Sequence, residues 1–185
     1  MRIISGSAKG KKLSSIKSIN IRPTADKVKM AIFNVLQHGV INFDFEGCTT
    51  LDLFSGSGSL GIESLSRGSE FCFFLDISRH SHLICKKNLQ NCGLSDLSKH
   101  IIMDIRGKRP FFVEKKFDLI FADPPYREKY IKNILEFIKR NDLLKPDGIL
   151  VIEDDIREEL KIDDNFKLIE KKIYGKTQVI FLILN

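Results

Sequence analysis

The chain has 185 residues, 43% of them hydrophobic and 29% charged, the size and composition of one ordinary globular domain and not of a disordered chain. No apolar run has the length of a membrane span, residues 1–13 lack the apolar core of a signal peptide, and Cys48, Cys72, Cys85 and Cys92 show no CxxC spacing. These features exclude a membrane protein, a secreted disulfide scaffold and a zinc module, and the expectation is a cytoplasmic protein with free, buried thiols and no metal.

In chain order, Arg2-Ile3-Ile4 and Lys12-Leu13-Ser14 flank a loop with Gly6 and Gly10, a pattern that predicts a small hairpin. Arg22-Pro23-Thr24 breaks the chain, and Thr24 is a fair N-cap with Asp26 in the first turn. Val28, Ala31, Ile32, Val35 and Leu36 follow at helical spacing up to Gly39. From residue 49 strands and helices alternate. Strands are predicted at Thr49–Phe54, Glu70–Asp76, His100–Met103, Phe117–Ala122 and Ile149–Glu153, all nearly continuously apolar, as strands covered on both faces are. Helices are predicted at Ser59–Arg67, Ser78–Cys92, Ile105–Glu114 and Glu128–Arg140, with a turn at Pro146-Asp147-Gly148. Phe166–Tyr174 and Gln178–Leu184, joined through Gly175, read as an antiparallel hairpin. The expected fold is α/β: a mostly parallel, seven-stranded, Rossmann-like sheet with helices on both faces. A basic N-terminal hairpin and helix extension, residues 1–45, precedes the main domain, residues 46–185.

Thirty Lys and Arg side chains stand against 24 Asp and Glu, a net charge of +6. Residues 1–30 hold eight of the bases (Arg2, Lys9, Lys11, Lys12, Lys17, Arg22, Lys27, Lys29) and one acid, whereas the rest of the chain holds 22 bases and 23 acids. A positive segment on a near-neutral body suits a polyanion, and nucleic acid is the expected partner. A solvated lysine-rich tail is the plainer alternative.

The first strand of the alternating region runs into Gly56-x-Gly58-x-x-Gly61, ahead of a helix. The glycines allow close backbone approach to a ligand and close helix–strand packing. Asp76 follows Gly56 by 20 residues at the end of the next strand, where a carboxylate can accept from both hydroxyls of a ribose. Asp52, four residues before Gly56, would repel a pyrophosphate but could pair with an ammonium. S-adenosylmethionine carries an α-amino group, a carboxylate and no phosphate. Asp52 at the amino group, amides of the loop Phe54–Gly61 (Gly56, Ser57, Gly58, Gly61) at the carboxylate and Asp76 on the ribose make a consistent set. Asp104, just after the third strand, could accept from the adenine amine or simply cap a helix.

The fourth strand ends in Asp123-Pro124-Pro125-Tyr126, at the strand end where α/β sheets bind ligands. The prolines fix the corner and remove donors, leaving the Asp123 carboxylate and the Pro124 carbonyl as acceptors. A planar NH2 on a base has two donors to match them. Holding both hydrogens frees the nitrogen lone pair for the sulfonium methyl, while Tyr126 offers a stacking face. As an exposed carboxylate, Asp123 is expected to titrate near 4, too low to strip such an amine.

This arrangement resembles the class I S-adenosylmethionine-dependent methyltransferases that modify exocyclic amines, marked by an (Asp/Asn)-Pro-Pro-(Tyr/Phe) corner. More narrowly it resembles the 16S rRNA (guanine-N2)-methyltransferases of the RsmD type. The resemblance runs through Arg2-Ile3-Ile4-x-Gly6, Lys9-Gly10-Lys11-Lys12-Leu13, Arg22-Pro23-Thr24-x-Asp26-Lys27-Val28-Lys29, Ile32-Phe33-Asn34-x-Leu36, Leu51-Asp52-Leu53-Phe54-x-Gly56-Ser57-Gly58-x-Leu60-Gly61-x-Glu63, Ser66-Arg67-Gly68 and the Asp123–Tyr126 corner. It implies the N2 amine of one guanine in small-subunit rRNA as target, on an assembled or nearly assembled particle, and a monomeric enzyme. It also implies a lid containing Arg22 and Thr24, the latter against the cofactor, and rRNA contacts from Arg2, Lys9, Lys11, Lys12, Arg22, Lys27 and Lys29. The chain departs from the family in Asp76 for Glu, in Lys27 and Lys29 for Arg, and in Met30 for an acid; the lysines keep phosphate attraction without a bidentate fork. A DNA adenine-N6 methyltransferase would use the same corner but generally carries an inserted recognition domain. A protein-glutamine methyltransferase generally has Asn at position 123. A non-catalytic assembly factor with a relict nucleoside site would not need the intact corner, and a NAD-dependent oxidoreductase is disfavoured by Asp52.

Overall fold

The computed structural model describes residues 1–15, 24–107, 109–111, 113, 115–125, 130–158 and 160–185, with the side chains of Thr24 and Ala25 outside that description. Helix α1 is Thr24–His38, followed by β1 (Thr49–Leu53), α2 (Ser59–Ser66), β2 (Phe71–Asp76), α3 (Arg79–Cys92) and β3 (Ser98–Ile102). The chain continues through β4 (Phe117–Ala122), α4 (Tyr130–Arg140), β5 (Leu144–Asp155), β6 (Phe166–Tyr174) and β7 (Thr177–Leu184). The seven strands form one sheet in the order β3-β2-β1-β4-β5-β7-β6. The β1–β5 pairs are parallel and β7 is antiparallel to both β5 and β6. The order reverses at β1 and β4, the switch point at which such sheets open a crevice beyond their carboxyl ends.

Strand periodicity assigns the two faces. Leu51, Leu53, Ile120, Leu150 and Ile152 pack on one side with α4, which buries Tyr130, Ile131, Ile134, Leu135, Phe137 and Ile138, neighbours at helical spacing. Leu119, Phe121 and Val151 point the other way, onto Val28, Ile32, Phe33 and Leu36 of α1. On that same face Cys72 and Phe74 pack with Ile62, Leu65, Cys85 and Leu89 of α2 and α3. The N-terminal segment joins this cluster through Ile3, Ala8 and Leu13. Its hairpin is a single antiparallel bridge, Arg2 to Lys12, flanked by Ile3 N donating to Lys11 O at 3.0 Å and Leu13 N to Met1 O at 3.0 Å.

Two expectations are corrected. No helix forms among the described residues of 105–114: after a turn closed by Gly107 N donating to Asp104 O at 3.1 Å, Pro110 lacks a donor and disfavours helical backbone before it. Pro146-Asp147-Gly148 does not separate two elements but lies within β5, where pairing jumps from Phe117–Leu144 to Leu119–Ile149, a bulge. All four cysteines are free, Cys72 and Cys85 buried and Cys48 and Cys92 half-buried. No helix among the described residues is long and apolar enough to cross a membrane.

Candidate active site

The carboxyl ends of β1, β2 and β4 and the segment after β3 enclose a cavity of about 500 Å³. Phe54 and Gly56 enter from β1, Leu75, Asp76 and Ile77 from β2, and Met103, Asp104, Ile105 and Arg106 from beyond β3. Asp123, Pro124 and Pro125 close it from β4, with Tyr130 of α4 beside them. Phe54 holds a left-handed backbone, φ 59°, which a side chain adopts only at a cost of about 1–3 kcal/mol. Its ring packs edge-on against Tyr130, 5.0 Å between centroids, and the Arg106 guanidinium lies 5.3 Å from the Tyr130 ring centre.

Asp76 is held by backbone amides. Gly56 N donates to one carboxylate oxygen and Ser78 N to the other, each at 2.8 Å. Both oxygens retain lone pairs for further donors. Behind it, a ring nitrogen of His82 lies 3.1 Å from the Asp76 carbonyl and the other 3.1 Å from His100. Burial, His82 and Lys86 bring the His100 imidazole down to about 4, so the His100 ring is neutral near pH 7. Asp104 lines the cavity, but Arg106 takes both of its oxygens (Nε to Oδ1 at 3.1 Å, Nη2 to Oδ2 at 2.9 Å, backbone N to Oδ1 at 2.9 Å) and holds its carboxyl below the usual range.

Asp123 is exposed, as expected from the sequence, and lines the cavity, with the body of the protein packed behind it. That crowding, with the charges of Glu153, Asp52 and Asp154, pushes its carboxyl well above the usual carboxylate range. The expectation of an ordinary value near 4 is therefore corrected.

The glycine motif divides its labour. Gly56 faces the cavity, whereas Gly58 and Gly61 serve packing. A Cβ on Gly58 would lie 2.4 Å from Cys85 Sγ, and one on Gly61 would lie 2.5 Å from the Phe74 ring. Ser57 is not in the lining; its carbonyl accepts from Asn88 Nδ2 at 2.9 Å. Asp52 is also corrected. It is 2% exposed, lies outside the lining, and accepts from Gly61 N at 2.9 Å, so it fixes α2 against the sheet. Burial, partly opposed by the Gly61 N–H and reinforced by Asp76, pushes its carboxyl up to about 7.

Of the basic residues, Arg2, Lys9, Lys11, Lys12 and Lys27 are exposed. Lys29 is not: it is 3% exposed, and its Nζ donates to Arg2 O at 2.7 Å and lies 3.5 Å from Glu63. Its assignment to RNA is a correction, because it has no path to solvent. Arg22 and Tyr126, and the Thr24 side chain, lie outside the described residues. Arg106 and Tyr130 are cavity residues that the sequence reading missed; the Asp-x-Arg spacing of a side-chain-closed turn could have signalled the first.

The family model described as Conserved hypothetical protein 95 matches residues 1–183. The chain belongs to that family, the RsmD family. It is 40% identical over 185 residues to "Putative rRNA methyltransferase YlbH" of Bacillus subtilis (strain 168), covering 97% of this chain and 96% of that one. It is 31% identical over 179 residues to "Ribosomal RNA small subunit methyltransferase D" of Haemophilus influenzae, covering 95% and 89%. Among solved structures, HI0767 from Haemophilus influenzae matches with TM-score 0.79 at 28% identity over 99% of this chain and 97% of its own. The fold is shared with yhhF from Escherichia coli, TM-score 0.83 at 24% identity over 100% and 98%. As a member of the RsmD family the chain is a methyltransferase with a Rossmann-like fold, and the usual methyl donor of that class is S-adenosylmethionine.

Proposed function

We propose that this chain transfers a methyl group from S-adenosylmethionine to the exocyclic N2 amine of a guanine in 16S rRNA. The substrate is the small ribosomal subunit or a late assembly intermediate, met in the cytoplasm by a monomer whose residues 1–45 face the RNA. The observation that carries the reading is the convergence of Gly56, Asp76 and the Asp123-Pro124-Pro125 corner on one cavity of about 500 Å³. The lining suits the donor: Asp76, amide-held, has lone pairs for two ribose hydroxyls, and Ile77, Met103 and Ile105 offer an apolar slot for an adenine ring beside Asp104 and Arg106. When bound, the donor supplies an electrophilic methyl on a sulfonium. Asp123 and the Pro124 carbonyl hold the two amine hydrogens and aim the nitrogen lone pair. As the N–C bond forms, the C–S pair leaves with sulfur, and Asp123 stabilises the positive charge developing on nitrogen, a contribution specific to the transition state. The surplus proton then passes to Asp123 or to water. The exposed Arg2, Lys9, Lys11, Lys12 and Lys27 meet phosphates.

The test is incubation with a radiolabelled methyl donor and, in parallel, undermethylated small subunits, naked 16S rRNA and DNA, followed by nucleoside mass spectrometry. The expected product is N2-methylguanosine in 16S rRNA. Label in DNA adenine, or none in either RNA substrate, overturns the reading.

A further inference from the structure

Nothing in the Asp123-Pro124-Pro125 corner selects guanine. Its two acceptors hold an exocyclic NH2, and adenine and cytosine offer the same group. Enzymes that act on a base read its Watson–Crick edge, and there the three bases differ. Beside its amine guanine carries an N1–H donor, whereas adenine N1 and cytosine N3 are bare acceptors. A group that selects guanine must therefore be an acceptor next to the corner, on the side from which the base arrives.

The sheet fixes that side. The donor cavity is built on the ends of β1 and β2 and the segment after β3, and Asp123 stands at its β4 border. The next strand outward is β5. It runs parallel to β4 with Ala122 opposite Ile152, so Asp123 and Glu153 follow as neighbours on backbones about 4.8 Å apart. Three acidic side chains bear on Asp123: Glu153 most strongly, then Asp52 and Asp154. Two of them are buried and committed. Asp52 accepts from Gly61 N at 2.9 Å, and Asp154 Oδ1 accepts from Asp155 N at 2.7 Å. Glu153 is only half-buried. A carboxylate has about four acceptor sites, enough to take an N–H from a base whatever else it holds.

We propose that Glu153 is the specificity-determining residue of this site, accepting from N1–H of the target guanine while Asp123 and the Pro124 carbonyl hold the two N2 hydrogens. Adenine or cytosine in the same pose would aim a ring-nitrogen lone pair at the carboxylate, and uracil has no amine to methylate. The three N–H groups of guanine, with the sulfonium, also offset the repulsion between two neighbouring carboxylates. The proposal rests on a guanine N2 amine being the target and adds the group that tells guanine from the other amine-bearing bases.

The test uses the full chain and small subunits reconstituted on ligated 16S rRNA. At the guanine that the wild type methylates, the rRNA carries either guanosine or 2-aminopurine riboside, which keeps the 2-amine but has an acceptor at N1. Methyl transfer is followed by nucleoside mass spectrometry. The wild type should prefer guanine by about 10–100-fold in kcat/KM. Glu153→Gln, whose amide can donate to N1 of 2-aminopurine, should cut that preference about tenfold. Glu153→Ala should cut it by slowing guanine alone. Intrinsic differences between the two amines cancel when one protein is compared with another. Donor affinity in calorimetry should match the wild type, because Glu153 lies outside the donor cavity lining. A role confined to folding would slow both substrates equally and leave the preference unchanged. That result, or a wild type that uses both substrates equally, overturns the inference while N2-methylguanosine formation stands; the second outcome needs no variant to fold. If no methyl reaches guanine in the wild type, the functional reading falls first.

Discussion

Asp52→Asn should make the protein more stable relative to wild type as pH rises from about 4 to about 7, and by a constant margin above that. Asp52 is 2% exposed and its carboxyl is pushed up to about 7, chiefly by burial. In the unfolded chain it titrates near 3.9. Between those values the folded state holds a proton that the unfolded state has lost, so wild-type stability falls as pH climbs through that window and levels off beyond it. Three units correspond to about 4 kcal/mol at most, at 1.36 kcal/mol per unit. Local relaxation would reduce this, but even half shifts the melting temperature by about 4–8 °C in a chain of this size. Asparagine is isosteric and its oxygen still accepts from Gly61 N, so the helix contact survives. The assay is urea unfolding of both proteins at pH 5 and pH 8, with the difference of differences attributing the effect to position 52. A value of zero, or greater relative stability of the variant at pH 5, refutes the argument. The same variant discriminates between the two roles considered for Asp52. A residue that only braces α2 leaves donor affinity within about threefold, whereas loss of a charge-assisted bond to an ammonium would cost about 1.5–3 kcal/mol.

Asp123→Ala should lower kcat about 100-fold or more with normal donor binding, and Asp123→Asn should keep partial activity, both read by single-turnover methyl transfer to undermethylated small subunits. Because Asp123 is raised in the free protein and acts ionised, the acid limb of kcat/KM should lie above the ordinary carboxylate range. A sulfonium in the cavity should pull the limb of kcat below it; coincident limbs near pH 4 would contradict this. Asp76→Ala should weaken donor binding by about 1.5–3 kcal/mol in calorimetry through lost ribose hydrogen bonds. Neutralising Lys9, Lys11, Lys12 and Lys27 should flatten the salt dependence of subunit binding by about 0.7–0.9 log–log units per lost phosphate contact. Lys29→Met should leave that slope unchanged and lower the unfolding midpoint.

The layer order was legible because parallel strands buried on both faces are written as short apolar runs, and β1, β2 and β4 emerge within one residue of their expected bounds. Gly56, Asp76 and Asp123 were legible for the related reason that they follow such runs, at the sheet end where crevices form. Phase explains the misassignments better than residue type does. Asp52 stands between Leu51 and Leu53 in a strand, so its side chain must leave by the opposite face, toward α2. Lys29 shares a helical stripe with Ile32, Phe33 and Leu36, all buried, while Lys27 falls on the outer side; counting both as surface charge ignored the 3.6-residue period. The same period-based reading explains why charge alone overstated the RNA-facing surface: Lys29 is spent inside the molecule, holding the Arg2–Ser5 backbone with Glu63. Arg106 taking the oxygens of Asp104 is a local contact, two residues away, that the Asp-x-Arg spacing could have signalled. What no local pattern could supply is long-range convergence: Asp123 reads as an ordinary carboxylate until the surrounding protein, with Glu153, Asp52 and Asp154 from other strands, crowds it. Positions at strand ends can therefore be assigned from sequence, but their charge states depend on neighbours that only the assembled sheet brings near.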